Sequence, residues 1–163
     1  MIVGSVASTF HSTPRTTQDI DVVVELDALR LKALLDHLPE EDYYVSDVAA
    51  RDALRRRSMF NVVDLESGWK ADLVVRKNRP FSAEEFRRRI QVDFMGVPLY
   101  IASAEDCVIS KLEWAALGSS ERQLRDVKMI LDVQGESLDR AYIEQWVGHL
   151  GLMDVLQRAQ ALS

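Results

Sequence analysis

The sequence predicts an α+β fold in which a mixed β-sheet is flanked by helices and followed by a C-terminal helical segment. Up to residue 102, short apolar runs bounded by turn residues alternate with segments of helical spacing; beyond it, only helical spacing recurs. A length of 163 residues suits one domain, or one domain with a helical appendage. We therefore expect a core at 1–102 and a helical segment at 103–163 that packs on it.

The elements of this core follow from local patterns. Pro39 ends a helix that begins near Leu26, and Glu66-Ser67-Gly68 predicts a hairpin turn. Ser82, with Glu85 three residues later, predicts a helix start with a capping box. The predicted strands are at 1–3, 19–26, 59–65, 69–76, 91–94 and 97–102, and the predicted helices are at 6–10, 26–38, 47–57, from 82 and at 104–117, with three further helical segments after them.

Two aspartates open the second predicted strand. Asp19 and Asp21 are two residues apart, and alternate residues of a strand point to the same face, so both carboxylates project together. Asp72 lies in a later apolar run, from which it could bring a third carboxylate to the same place. Acidic groups that converge on a sheet repel one another, and Mg²⁺ relieves that repulsion through oxygen ligands. The pattern indicates phosphoryl or nucleotidyl transfer.

Two alternatives compete with this assignment. Asp64 competes with Asp72 for the third position, but it lies near the predicted hairpin turn, where aspartate commonly bonds to the backbone. An aspartyl-phosphate phosphatase also uses an Asp-x-Asp motif, but its first aspartate follows an apolar strand. Here the polar residues at 16–18 precede Asp19 and the apolar residues follow it, so the phosphatase is disfavoured.

Together with Gly4-Ser5, these residues resemble the signature of the nucleotidyltransferase superfamily to which DNA polymerase beta belongs. The signature is an apolar residue, Gly, Gly or Ser, a gap, Asp-apolar-Asp, and a later lone carboxylate on a strand; Val3-Gly4-Ser5, Asp19-Ile20-Asp21 and Asp72 match it here. Small bacterial stand-alone nucleotidyltransferases and abortive-infection toxins of type IV toxin–antitoxin systems look most similar. A Gly-Ser turn at a helix start also suits a phosphate, because free N–H groups favour anions there.

The resemblance implies a site and a reaction. Asp19, Asp21 and Asp72 would be the catalytic residues and would hold one or two Mg²⁺ ions, or Mn²⁺ in their place. The nucleotide would be bound by Gly4, Ser5, Arg15, Lys111 and Asp126. For Lys111 and Asp126 the reason is that Ile109-Ser110-Lys111-Leu112 and Leu124-Arg125-Asp126-Val127 look like toxin-family segments. For Lys111 and Asp126 an ordinary surface charge is the competing interpretation.

The expected activity is transfer of a nucleoside monophosphate from an NTP such as ATP to an acceptor hydroxyl on RNA, a protein or a small molecule. An antitoxin or a second copy of the chain is the candidate partner. Only three residues precede Gly4, fewer than in the relatives, which favours the rival hypothesis of a non-catalytic nucleotide-binding or partner-binding module.

Composition narrows the remaining classes. A net charge of −6 disfavours a protein that coats nucleic acid, although the arginine-rich segments 55–57, 76–77 and 87–89 are candidate groove walls or solvated helix faces. The sequence predicts no membrane span and no signal peptide. The single cysteine, Cys107, is expected to be a buried thiol and suits a reducing cytoplasm. Three tryptophans, Trp69, Trp114 and Trp146, are expected to be core or interface residues.

Overall fold

A mixed β-sheet forms the centre of the molecule. A computed structural model describes residues 1–14, 16–17, 19–94, 96–118 and 120–162. Within these residues the sheet has seven strands in the order β3-β4-β5-β2-β1-β7-β6. The strands are β1 (Ile2–Val3), β2 (Asp19–Val24), β3 (Tyr43–Val45), β4 (Met59–Asp64), β5 (Lys70–Val75), β6 (Ile90–Phe94) and β7 (Val97–Ile101). The α+β class expected from the sequence is confirmed.

Helices connect and follow these strands. They are α1 (Gly4–His11), α2 (Ala28–Asp36), α3 (Asp47–Arg56), α4 (Pro80–Arg87), α5 (Ala104–Gly118), α6 (Glu121–Gln134), α7 (Arg140–His149) and α8 (Met153–Gln160), with one 3₁₀ turn at Gly135–Ser137. None of the helices in the described part of the chain combines the length and apolar character that crossing a bilayer requires.

The structure adds one strand that the sequence did not predict and corrects the start of one helix. The sequence pattern did not show β3, which is three residues long and pairs antiparallel with β4 at the sheet edge. The helix expected from Ser82 begins at Pro80 instead, because proline at the first helical position needs no hydrogen-bond acceptor for its nitrogen. Ser82 and Glu85 therefore lie inside α4 as buried residues and do not form a capping box.

The direction of the strands decides what each face of the sheet carries. β2 and β5 run parallel, and β1 runs antiparallel to β2 and parallel to β7. Because side chains alternate along a strand, Leu73 and Val75 point into a core formed with α2 and α3. The alternate residues Asp72 and Val74 point to the opposite face, where they line a cleft.

The second core joins the part of the sheet around β1 and β7 to the C-terminal helices. Ile2 of β1 and Ile101 of β7 belong to the same cluster of buried side chains as Val108 and Leu112 of α5. Cys107 is buried in this cluster as expected, and burial raises the pKa of its thiol. This cluster holds α5 against β1 and β7, and residues of α5 line one wall of the cleft.

Candidate functional site

The turn between β1 and α1 brings backbone close to a carboxylate. Gly4 has φ +64°, and a Cβ built there would overlap Asp21 Oδ2 and lie 2.7 Å from Asp21 Cγ. The next residue, Ser5, donates its backbone N–H to the Asp21 carboxylate. Only glycine allows this approach, because any side chain would displace Asp21 and would also disfavour the positive φ. The Gly4-Ser5 turn and Asp21 therefore form one unit.

A row of polar residues crosses the sheet on the cleft face. Asp21 of β2 lies beside Asp72 of β5 in the parallel register, and Asn61 of β4 lies beside Asp72 on its other side. The Asn61 side-chain amide donates a hydrogen bond to Asp72 Oδ1. Asp72 is 8% exposed, so this donor satisfies an oxygen that has lost most of its contact with water. The two carboxylates are neighbours because the strands are in register.

Asp19 lies on the same face but one step further along the strand. Its register partner is Lys70, whose ammonium nitrogen lies 3.7 Å from Asp19 Oδ1 and 3.3 Å from Asp72 Oδ1. Lys70 therefore supplies positive charge to two of the three aspartates that the sequence singled out. Among the described side chains, no three His, Cys, Asp or Glu groups lie close enough together to hold an ion as they stand.

The electrostatics of Asp21 show the cost of this arrangement. Burial raises the pKa of the Asp21 carboxyl, and the negative charges of Asp72 and Asp19 raise that pKa further. The Lys111 charge and the Ser5 N–H act in the opposite direction. Oxygen donors that repel one another in this way are the ligand type that Mg²⁺ or Mn²⁺ prefers, so the residues present fit a divalent cation.

These groups line a single cleft of about 380 Å³, a volume in the range of small-molecule sites. The sheet face forms its floor, and α4 and α5 form its walls. The lining residues include Val3, Gly4, Ser5, Asp21, Val23, Met59, Asp72, Val74, Arg76, Lys77, Arg79, Ser82, Glu85, Ala102, Cys107, Ser110, Lys111, Glu113, Trp114, Leu117 and Gln123. The cleft therefore joins the carboxylates, the Gly4-Ser5 turn and several cationic side chains.

Lys111 and Asp126 form a buried ion pair. The Lys111 ammonium donates to Asp126 Oδ2 at 2.7 Å and to Gln123 Oε1 at 3.0 Å, and its side chain is 5% exposed. The alternative that both are ordinary surface charges is therefore wrong. Lys111 lines the cleft and its charge acts on Asp21, whereas Asp126 holds the ammonium from the side of α6.

A second carboxyl group lies where α4 faces α5. Glu85 is 6% exposed, and Ser110 Oγ donates to Glu85 Oε1 at 2.7 Å. Burial raises the pKa of Glu85 to about 7. Beside it, Arg79 makes a bidentate ion pair with Glu113, with nitrogen–oxygen distances of 2.5 and 2.6 Å. This part of the cleft is polar and tightly bonded.

Several predicted residues lie elsewhere. Arg15 is outside the described residues. Asp64 accepts hydrogen bonds from the N–H and hydroxyl of Ser67 in the hairpin turn, as expected of an aspartate that serves the backbone. Trp114 lines the cleft and is 58% exposed, and Trp69 is 55% exposed, so neither is a core residue.

The arginine-rich segments contribute unequally to the cleft. Arg76 and Lys77 line it, whereas Arg55 and Arg56 pair with Asp52 on α3. In the remaining segment, residues 87–89, Arg87 forms an ion pair with Glu84, and Arg88 forms ion pairs with Glu105 and Asp106. Only one of the three segments therefore forms part of a wall.

Sequence reasoning missed three side chains of the site: Asn61, Lys70 and Glu85. Lys70 and Asp72 are two apart on one strand, so their shared face was visible in the sequence. The partners of Asn61 and Glu85 depend on the strand register and on the contact between α4 and α5. Local sequence patterns carry no signal for such pairings.

The order of the sheet, the glycine turn beside the paired aspartates and the cleft they share define the class of a nucleotidyltransferase fold. A family model described as "Nucleotidyltransferase of unknown function (DUF6036)" matches residues 1–145, and the chain belongs to that family.

A solved structure shares this fold: an antigenic nucleotidyltransferase-like protein from Paracoccidioides brasiliensis is similar over 97% of this chain and 82% of its own, with a TM-score of 0.53 and 16% identity. Identity at this level establishes a shared fold and nothing about substrates. No curated protein sequence matches the chain.

Proposed function

We propose that this protein transfers a nucleoside monophosphate from an NTP to an acceptor hydroxyl in a reaction that depends on a divalent cation. The observation that carries this is the contact between the Ser5 N–H and the Asp21 carboxylate, with Asp72 in the next register position. A phosphate-binding turn and a pair of carboxylates are thus joined in one cleft. That combination serves the transfer of a phosphorus group between oxygens.

Each residue has a part in the reaction. The N–H groups of the Gly4-Ser5 turn, at the start of α1, bind phosphate oxygens, and the Lys111 ammonium attracts the triphosphate. Asp19, Asp21 and Asp72 would hold Mg²⁺ or Mn²⁺, which when bound neutralises charge on the triphosphate.

The proposed transfer needs no reagent other than the NTP and the acceptor. The acceptor oxygen forms a bond to the α-phosphorus, the bond from that phosphorus to the bridging oxygen breaks, and pyrophosphate leaves. The Asp72 carboxylate would accept the proton of the acceptor hydroxyl, because it lies on the cleft face beside Asp21. Asn61 and Lys70 fix the orientation of that carboxylate through its Oδ1.

The acceptor is proposed as one of three classes: RNA, a protein side chain or a small molecule, in the cytoplasm. A toxin-like role with an antitoxin partner follows from the resemblance alone. A second candidate function, nucleotide binding without transfer, is favoured by the Lys70 ammonium, which offsets part of the charge of Asp19 and Asp72. Both candidates predict binding of an NTP, and only the first predicts transfer.

The test is incubation with each α-labelled NTP, Mg²⁺ or Mn²⁺ and a cell extract, followed by separation into RNA, protein and small molecules. We expect label in one fraction with the wild type and a loss of about 100-fold or more in Asp21→Asn, because charge and position at the cation are most of the catalysis. Asp36→Asn is the matched control, since Asp36 is an exposed carboxylate on α2. Equal labelling by wild type and Asp21→Asn would refute catalysis at this site.

A further inference from the structure

The proposed transfer has no use for the buried carboxyl group of Glu85. Glu85 lines the cleft on the side of α4, where Ser110 Oγ donates to its Oε1. Ser82, one turn earlier on α4, lines the same region, and Arg79 Nε donates to its hydroxyl at 2.9 Å. Burying a carboxyl group beside a cavity costs free energy, so its presence there favours a role in recognising what fills the cavity.

The lining of the cleft combines surfaces that suit the different parts of a nucleotide. The Gly4-Ser5 turn and the aspartates form a region suited to phosphate and cation. Val23 and Val74, on neighbouring strands, give the floor an apolar surface, and the exposed Trp114 ring lines the wall. A flat aromatic ring fits an apolar floor, and its polar edge needs hydrogen-bonding partners. Glu85 and Ser110 line the same cleft as this floor.

Building on the nucleotidyl transfer proposed above, we propose that Glu85 selects the nucleobase of the NTP and that the base it selects is guanine. Guanine presents two adjacent N–H donors, at N1 and at the 2-amino group, and one carboxylate accepts both. Adenine and cytosine present one amino group beside a ring nitrogen whose lone pair faces the carboxylate. Uracil presents one N–H between two carbonyl oxygens.

The hydrogen bond from Ser110 suits this role, because it leaves Glu85 Oε1 fixed and favours the ionised carboxylate. The charged groups that act on Glu85 are Arg79, which favours ionisation, and Asp106 and Glu113, which oppose it. With burial, these raise the pKa of Glu85 to about 7. Since guanine binds the ionised form, the affinity for GTP increases as the pH rises through 7 and becomes constant above it.

Other groups in the cleft also titrate, so the contribution of Glu85 is measured by the ratio of GTP affinity to ATP affinity. The pKa of Asp21 is also raised, which affects the binding of every triphosphate alike. The ratio of GTP to ATP affinity cancels that shared effect. Between pH 6 and pH 8 the ratio should increase by up to about tenfold, because about a tenth of a carboxyl with pKa 7 is ionised at pH 6.

The experiment is calorimetric titration of the full chain with GTP, ITP and ATP in Mg²⁺ at pH 6 and pH 8. ITP lacks the 2-amino group of guanine and should bind between GTP and ATP. In the wild type we expect GTP to bind about tenfold or more tightly than ATP, and in Glu85→Gln we expect the two to differ by less than about threefold. Glu84→Gln is the control, since Glu84 lies on the same helix but pairs with Arg87 and should keep the preference.

The outcomes separate this proposal from the one on which it rests. Binding of ATP as tight as GTP by the wild type, or an unchanged preference in Glu85→Gln, overturns the guanine assignment while leaving nucleotidyl transfer in place. No binding of any nucleotide by the wild type overturns both. Should Glu85→Gln fail to fold, the order GTP, ITP, ATP and its pH dependence in the wild type decide: equal affinities, or a ratio independent of pH, refute the proposal.

Discussion

Replacing Asp21 with asparagine should stabilise the protein when no metal ion is present. The change keeps the size of the side chain and an oxygen that can accept the Ser5 N–H. It removes a charge that burial, Asp72 and Asp19 all disfavour. We therefore expect the fold to gain stability from the same substitution that should reduce the proposed nucleotidyl transfer.

The magnitude follows from the register. Neighbouring strands lie about 4.8 Å apart, so the Asp21 and Asp72 carboxylates are separated by roughly 5 Å, and two charges at that distance interact by about 3 kcal/mol at an effective dielectric constant of 20. Asp21 is half-buried and water screens part of this repulsion, and the nearby Lys70 offsets more of it. We expect a gain of about 1 kcal/mol, or roughly 2–4 °C in Tm for a chain of this size.

The dependence on pH has a definite sign. The folded pKa of Asp21 is raised, so the folded state binds this proton more tightly than the unfolded state does. Its contribution to stability is therefore greatest below the unfolded pKa and declines as the pH rises through the folded value. Asp21→Asn should gain most at pH 7, and the gain should vanish near pH 4 and below, where the wild-type carboxyl is also neutral.

The assay is thermal unfolding of wild type and Asp21→Asn at several pH values, in EDTA and in Mg²⁺. Binding of an ion at 100 times its Kd adds about 2.7 kcal/mol to the protein that binds it, so Mg²⁺ should reverse the order of the two melting temperatures. The exposed Asp36→Asn should change stability by less than about 0.5 kcal/mol. A variant that is less stable than the wild type at pH 7 in EDTA would refute the reasoning.

Three further outcomes are expected. Gly4→Ala should lose nucleotide binding and about 1–3 kcal/mol of stability, as measured by titration and chemical unfolding, because the added Cβ overlaps the Asp21 carboxylate at a positive φ. Lys70→Met should tighten Mg²⁺ binding several-fold in calorimetry, since it removes the competing ammonium; unchanged affinity would contradict this. Lys111→Ala should destabilise the fold by about 3–5 kcal/mol in denaturant unfolding, because it leaves Asp126 buried without that ammonium, and a loss under 1 kcal/mol would argue against a buried pair.

Much of the fold was predictable because its signals are local. The Glu66-Ser67-Gly68 turn, the alternation in the Asp19 strand and the helical spacing after residue 103 each specify an element without reference to the rest of the chain. β3 was not predicted because three residues are too few to show the alternation of a strand. Its place at the sheet edge comes from pairing with β4. The sequence contains two signals for the start of α4, the Ser82-x-x-Glu85 pattern and Pro80. The first predicts a start at Ser82, whereas the helix begins at Pro80.

The candidate site was predictable only in part, because local sequence signals do not show how strands and helices pair with one another. The pair Asp19 and Asp21 follows from strand geometry, but the nearness of Asp72 depends on a parallel register between strands some fifty residues apart in sequence. The ion pair of Lys111 with Asp126 required knowing that α5 and α6 pack side by side. Where a residue acts through a partner on another element, the local sequence identifies the residue but not its partner.

One hydrogen bond beside the sheet would connect the two binding events proposed for this site, of phosphate and of a cation. The Ser5 N–H that Asp21 now accepts is also a donor that a phosphate at the start of α1 would take. A phosphate bound there would leave Asp21 charged and without that donor, which raises its affinity for a cation. Thermodynamic reciprocity then requires a bound cation to raise the affinity for the phosphate by the same factor. Triphosphate and metal ion should therefore bind cooperatively, and a titration with either one alone would underestimate the affinity of the pair.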